Sequence, residues 1–185
     1  MRLFVAVNPP ERLVGELDTR LDTVRRAVPI AWTRPQAWHL TLMFLGEWSA
    51  QRAAPLAAVL QAAVAACPAP VITPGGVGAF PDWRRPRVLF LHLEGGARLE
   101  QLAGAVRGAV DAVWPEGPQD RRAFRPHLTL ARIKRPLPAA RRAILADLDL
   151  GPWPAFTPGA AHLLASELHP GGARYTEVAR LELGG

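Results

Sequence analysis

Phe124-Arg125-Pro126-His127-Leu128-Thr129-Leu130-Ala131-Arg132 carries at its centre a tetrapeptide that the chain uses twice. His127-Leu128-Thr129-Leu130 repeats His39-Leu40-Thr41-Leu42, one copy in each half of the 185 residues. A β-strand sends successive side chains to opposite faces. Read as a strand, each copy therefore places His and Thr on one face and both leucines on the other. The leucines anchor the strand in a core, and the imidazole and hydroxyl are left to face a cleft. Two such strands facing each other would gather two imidazoles and two hydroxyls in one small space. That set suits phosphoryl chemistry without a metal, with one His as base, one as acid and hydroxyls for the phosphate oxygens.

The surrounding pattern is mixed. Arg2–Val7 is a short apolar strand, and Pro9-Pro10 opens a helix with Leu13, Leu17, Leu21 and Val24 at helical spacing through Ala27. Ala31–Trp38 reads as extended and leads into the first motif strand, which runs through Phe44 to Gly46. Ser49 is a candidate cap for an Ala-rich helix carrying Leu56, Val59, Leu60 and Val64. Val71–Phe80 and Arg87–Leu93 read as strands around a polar loop, Pro81–Pro86. Gly95-Gly96 turns into a helix with Leu99, Leu102, Val106 and Val110 on one face. Phe124–Ile133 carries the second motif, and a short helix follows Pro138. Two last strands are expected near Ala160–Leu168 and Ala173–Leu183, joined at Pro170-Gly171-Gly172. The order strand, helix, motif strand thus occurs twice, which predicts an internal duplication. Residues 1–185 are expected to form one α+β domain of two pseudo-symmetric lobes. Each lobe would be an antiparallel sheet with flanking helices, with the cleft between them.

Composition narrows the class. The chain is 49% apolar, which is ordinary for a globular protein, and no apolar run is long enough to span a bilayer. Cys67 is the only cysteine, so disulfides and cysteine-based zinc sites are excluded, and cytoplasm is the expected compartment. No HExxH, carboxylate cluster or Gly-rich phosphate loop occurs, so no metal or cofactor is expected. The formal net charge of +6 invites a polyanion such as RNA. Lys134 is the only lysine, however, and the Arg-, Ala- and Pro-rich composition also reads as a genomic base bias.

The two motifs, together with the Arg-Leu-Phe-Val-Ala start at Arg2, Phe44-Leu45-Gly46-Glu47 and the ending from Ser166-Glu167-Leu168 to Gly172-Ala173-Arg174-Tyr175, resemble the two-histidine phosphoesterases. Within these the chain is similar to the RNA 2',3'-cyclic phosphodiesterases, also called 2'-5' RNA ligases. The resemblance implies hydrolysis of an RNA terminal 2',3'-cyclic phosphate to a 2'-phosphomonoester, with 2'-5' ligation as a companion reaction. It implies an RNA end as partner, with no membrane and no obligate protein partner. It makes His39 and His127 the acid–base pair, with His127 activating water and His39 protonating the 3'-oxygen. Thr41 and Thr129 would bind the phosphate oxygens. The resemblance also assigns a phosphate clamp to Arg132, five residues after the second His.

Strict alternation opposes that last assignment. It puts Arg132 on the leucine face unless the strand ends or bulges near Ala131 or the long side chain wraps round, and by parity it puts Arg125, the second candidate, on the histidine face. Trp38, Phe44, Trp83 and Phe124 are weaker candidates for stacking a base. Arg84, Arg85, Arg87, Arg121 and Arg122 are candidates for an RNA track. His92 reads as a core histidine, and His162 and His169 lack a partner motif. An end-binding module without turnover, or a phosphodiesterase for a small cyclic nucleotide or 2'-5' oligonucleotide, remain the competing readings.

Overall fold

A computed structural model describes residues 1–115, 123–169 and 172–184, apart from the side chains of residues 168, 169 and 172. Its elements in chain order are β1 (Arg2–Val7), α1 (Glu11–Ala27), β2 (Ala31–Trp32), a 3-10 turn (Pro35–Ala37), β3 (Leu40–Glu47), α2 (Ala50–Ala65), β4 (Thr73–Phe80), β5 (Val88–Glu94), α3 (Gly96–Val113), β6 (His127–Arg132), α4 (Ala139–Ala146), β7 (Ala160–His169) and β8 (Gly172–Glu182). The expected helices and long strands all form. The extended segment from Ala31 shrinks to two residues and a 3-10 turn, because β2 finds a partner only at the far end of β6. Ser49 occupies the N-cap position of α2 without a side-chain cap bond. Arg121, Arg122, the Pro170-Gly171 turn and the His169 side chain lie outside the described residues.

The strands form one antiparallel sheet in the order β4-β5-β6-β3-β1-β7-β8, with β2 beside β6. Each motif strand lies next to the strand that precedes it by one long helix: β3 beside β1, and β6 beside β5. The two halves join where β3 meets β6, through the single residue pair Leu40 and Leu128. Among the described residues no second register pair joins β3 to β6.

Burial explains the two faces of the sheet. Leu3, Val5, Val7, Leu40, Leu89, Leu91, Leu128 and Leu130 pack with Leu13, Leu17 and Leu21 of α1, Leu56 and Leu60 of α2 and Leu99, Leu102 and Val106 of α3 in one core. The helical 3.6-residue period lines up one apolar stripe per helix, and the strand period of two lines up one apolar face of the sheet. On the opposite face Phe4, Ala6 and Leu164 form a separate small cluster with Tyr175. That second face is the floor of the cleft.

A glycine fixes part of this floor. Gly78 of β4 pairs with Phe90 of β5, and a β-carbon on Gly78 would overlap the Phe90 ring. The tip of the ring occupies the space above the bare backbone, and the ring stacks on Phe80, with centroids 4.1 Å apart and planes 22° apart. Gly78→Ala forces that ring off its position. The expected cost is about 1–3 kcal/mol, as in other overpacked sites, read by urea denaturation.

Candidate active site

The register of the Leu40–Leu128 pair places His39 level with Thr129 and Thr41 level with His127. The two motifs therefore face each other crosswise, each imidazole opposite the other motif's hydroxyl. Both rings are held in the same way. Nδ1 of His39 donates to the Ala37 carbonyl at 2.8 Å, and Nδ1 of His127 donates to the Arg125 carbonyl at 2.6 Å. A carbonyl can only accept, so each Nδ1 carries the proton and each Nε2 is left as the free, basic nitrogen.

Each ring is also wedged between two aromatic side chains. His39 lies 4.8 Å from Phe4 and 5.0 Å from Tyr175, and His127 lies 5.1 Å from Phe80 and 5.4 Å from Phe90, centroid to centroid. Phe4, Phe80, Phe90 and Tyr175 are supports that sequence reasoning missed. Phe4 had a local signal, since it alternates with Leu3 and Val5 on an all-apolar strand. Tyr175, 136 residues from His39, is marked in the sequence only as part of the ending that carries the resemblance, with nothing local to tie it to His39.

Arg132 reaches this face through a bulge. Leu89 pairs with Ala131 but Phe90 pairs with Thr129, so β6 holds one extra residue, Leu130. A bulge of this kind resets the alternation. Leu130 and Ala131 are both buried, and Arg132 turns to the same face as Thr129 and His127. β3 does the same: Val5 pairs with Met43 and Ala6 with Thr41, leaving Leu42 as the extra residue. Phe44 thereby stands on the cleft face, 6.1 Å from Phe4 and half exposed. Phe44 and Arg132 hold equivalent positions in the two motifs. Arg125 is exposed, and its guanidinium lies 6.0 Å over the Phe80 ring. The local contribution of Arg125 is the carbonyl that holds His127.

The electrostatics follow from burial and charge. Burial in the aromatic wedge lowers the His39 pKa to about 4; the Ala37 hydrogen bond opposes this, and the charges of His127 and Arg132 add to it. The His127 pKa is lowered by burial against the Arg125 hydrogen bond, with His92 and Arg132 adding. Arg132 also pulls down Tyr175, whose phenol is pushed up by burial. The charge of Arg132, which stands on the same face of the sheet, thus acts on both imidazoles and on the tyrosine. Both imidazoles are neutral at pH 7.

A ring pKa below the unfolded value of about 6.5 means the unfolded chain binds protons first as pH falls. The stability linked to neutral His39 is complete above pH 6.5 and is lost as pH falls towards 4. At full extent it is about 3 kcal/mol for the shift to about 4. In an NMR titration the His39 ring proton should move with a midpoint near 4, and that of His127 below 6.5. Ordinary midpoints for both would contradict the wedge.

The other sequence expectations divide. His92 is no core histidine: it pairs in register with His127, is exposed on the cleft face, and its Nδ1 lies 3.3 Å from the Leu93 carbonyl. The core reading rested on the apolar strand residues Val88 and Phe90, but Phe90, two residues before His92, lines the cleft face beside His127 and not the helix-covered core. Trp38 is only 3% exposed and belongs to the core, so it cannot stack a base. Trp83 and Phe124 are half-buried against the same core, which leaves Phe44 as the exposed ring among the four. His162 is buried, with Nδ1 2.5 Å from Glu177 Oε2. Among the described residues no group of His, Cys, Asp or Glu could hold a metal ion, and no helix is long and apolar enough to cross a membrane.

A single antiparallel sheet that brings two His-x-Thr strands together, with helices on its other face, defines a two-histidine phosphoesterase cleft. The chain belongs to the 2'-5' RNA ligase superfamily, whose model matches residues 9–170 and so spans both motifs. It is 34% identical over its whole length to an RNA 2',3'-cyclic phosphodiesterase of Thermus thermophilus, covering 91% of that protein. It is 32% identical to one of Aquifex aeolicus, over 95% of this chain and 89% of the other. Among solved structures, TT0787 of Thermus thermophilus superposes with a TM-score of 0.81 at 31% identity, over 100% of this chain and 99% of that one. E. coli LigT complexed with 3'-AMP superposes with a TM-score of 0.76 at 27% identity, over 98% and 97%.

Proposed function

We propose that the protein hydrolyses the terminal 2',3'-cyclic phosphate of RNA to a 2'-phosphomonoester by acid–base catalysis between His127 and His39. The observation that carries this reading is the matched tether of the two imidazoles. Each is fixed by Nδ1 to the carbonyl two residues upstream, and each leaves Nε2 to the cleft that Arg132 enters. The names of the relatives point to the same reaction.

In this mechanism Nε2 of His127 takes a proton from water as the water oxygen bonds to phosphorus. The bond from phosphorus to the 3'-oxygen breaks, and Nε2–H of protonated His39 gives its proton to that oxygen. The products are a 3'-hydroxyl and a 2'-phosphomonoester; His127 then loses its proton to solvent and His39 regains one. His39 resists protonation in the empty cleft. A bound phosphate anion opposes the desolvation that lowers its pKa, so the acid forms where the substrate sits. Arg132 neutralises the developing charge on the non-bridging oxygens, and Thr41 and Thr129 donate hydroxyl hydrogen bonds to them. A 5'-hydroxyl in place of the water gives a 2',5'-phosphodiester, which is ligation on the same site. The side chains supply the acid, the base and the charge stabilisation, so no step calls on a metal.

The test is incubation with a short RNA ending in a 2',3'-cyclic phosphate, with EDTA present. A 2'-phosphate end, identified by phosphatase sensitivity and mobility, is expected. A 3'-phosphate end, or dependence on added metal, would overturn the mechanism. Binding without turnover would favour an end-binding module. Thr41→Val and Thr129→Val each remove one donor without changing shape, and each should lower kcat by about 10²-fold. An unchanged kcat in both would remove the hydroxyls from the mechanism.

A further inference from the structure

The surplus positive charge of the chain is concentrated in one place. Residues 81–87 and 132–142 carry eight cations against one carboxylate, Asp82. The two segments are joined to each other and to the cleft. Ile133, which follows Arg132 off the end of β6, donates its backbone N–H to the Arg87 carbonyl at 2.8 Å. Arg142 of α4 donates from Nη1 to the Arg84 carbonyl at 2.7 Å. Asp82 Oδ1 accepts the backbone N–H groups of Arg84 and Arg85 at 2.8 and 3.1 Å, which occupies that carboxylate within its own loop. Beside them Lys134, Arg135 and Arg141 line a cavity of about 340 Å³ with Ile30 and Ala31, and Ala31 pairs directly with Arg132.

These cations also lack a carboxylate in ion-pair reach. Outside the strip, Arg2, Arg12, Arg20, Arg25 and Arg180 each have a carboxylate within 4 Å, whereas Arg26, Arg34, Arg52, Arg98 and Arg107 have none among the described residues but are scattered along the sequence and not gathered in one segment. Among the described residues Lys134, Arg135, Arg141 and Arg142 have no such partner, and neither do Arg84, Arg85 and Arg87. A solvated surface usually mixes both signs. A one-sign strip of unpaired guanidinium groups, starting at the cleft, is the electrostatic footprint of a polyanion.

We infer that this strip is a track for the body of a single-stranded RNA whose cyclic-phosphate end lies in the cleft. The backbone passes Arg132 and runs along Lys134, Arg135 and Arg141, with the 81–87 loop as its other bank. The inference rests on the reading of the cleft given above and narrows its substrate: an oligonucleotide is preferred to a mononucleoside cyclic phosphate. Phosphate contacts release condensed counterions, so affinity falls with salt by a slope of about 0.7 per phosphate for single strands. Three extra phosphates amount to a loss of about 20-fold between about 50 and 200 mM salt.

The experiment compares kcat/KM for a mononucleoside 2',3'-cyclic phosphate and for an RNA of about ten nucleotides with the same end. It uses the wild type and the triple variant Lys134→Ala, Arg135→Ala, Arg141→Ala, at both salt concentrations. The wild type should favour the RNA and lose that preference by about 20-fold at the higher salt. The variant should keep its activity on the mononucleotide and show little further salt loss on the RNA. Equal salt dependence for the two substrates, or a variant that still prefers the RNA, overturns the track while leaving the cleft chemistry standing. If the mononucleotide and the RNA are both inert, the chemistry falls instead. The track is then judged by fluorescence anisotropy of the labelled RNA, where equal binding by wild type and variant overturns it.

Discussion

His39→Ala and His127→Ala should each lower kcat on a 2',3'-cyclic phosphate by 10²–10⁴-fold, the usual contribution of one general acid or base. The double variant should be little worse than either single one, since an acid and a base acting in one step fail together. Neither change touches the helix-covered core. Both imidazoles stand on the other face of the sheet, tethered to nearby carbonyls. The circular dichroism and the cooperativity of unfolding should therefore be kept. His39→Ala should also lose less stability than the wild type between pH 6.5 and 4, because it deletes a group whose protonation is opposed in the folded chain. Near-wild-type turnover in either single variant would remove that residue from the acid–base pair.

Arg132→Ala should cost about 10²–10³-fold in kcat/KM, comparable to deleting a donor aimed at developing negative charge. Arg132→Lys should recover only part of the loss, because an ammonium lacks the planar fork that matches two phosphate oxygens. A second readout separates this role from packing. The Arg132 charge lowers the pKa of both His39 and His127, so its removal should raise both. The acidic limb of kcat/KM, which reports the free protein, should then move to higher pH in Arg132→Ala. A variant with lowered activity and an unmoved limb would place Arg132 outside the cleft centre. The equivalent change on the other strand, Phe44→Ala, removes no charge and should leave the limb where it is.

The bulge at Leu130 is the feature that turns Arg132 to the histidine face. Parity counting along Phe124–Arg132 favours Arg125, and it is correct as far as Thr129. It then fails because β6 carries one residue more than β5 between two paired positions. Leu130-Ala131 looks like any other apolar step, and the extra residue exists only relative to the partner strand. The same blindness applies at Leu42, where a bulge exposes Phe44 on the cleft face. His92 fails for a related reason. Its neighbours are buried, but strand alternation turns its own ring outward, beside His127.

Local chemistry determined a great deal. The His-x-Thr alternation fixed which side chains share a face, the heptad-like leucines of α1 and α3 fixed which helix stripes are buried, and the lone cysteine and absent ligand clusters narrowed the chemistry. These are short-range properties, set by the periods of 2 and 3.6 residues. The tertiary structure alone decided that β3 and β6 meet at a single pair, that Tyr175 closes over His39, and that Arg132 shares the face of the two imidazoles. Those depend on which strands become neighbours and in what register, and a register is a property of two segments packed on a common core, carried by neither segment alone.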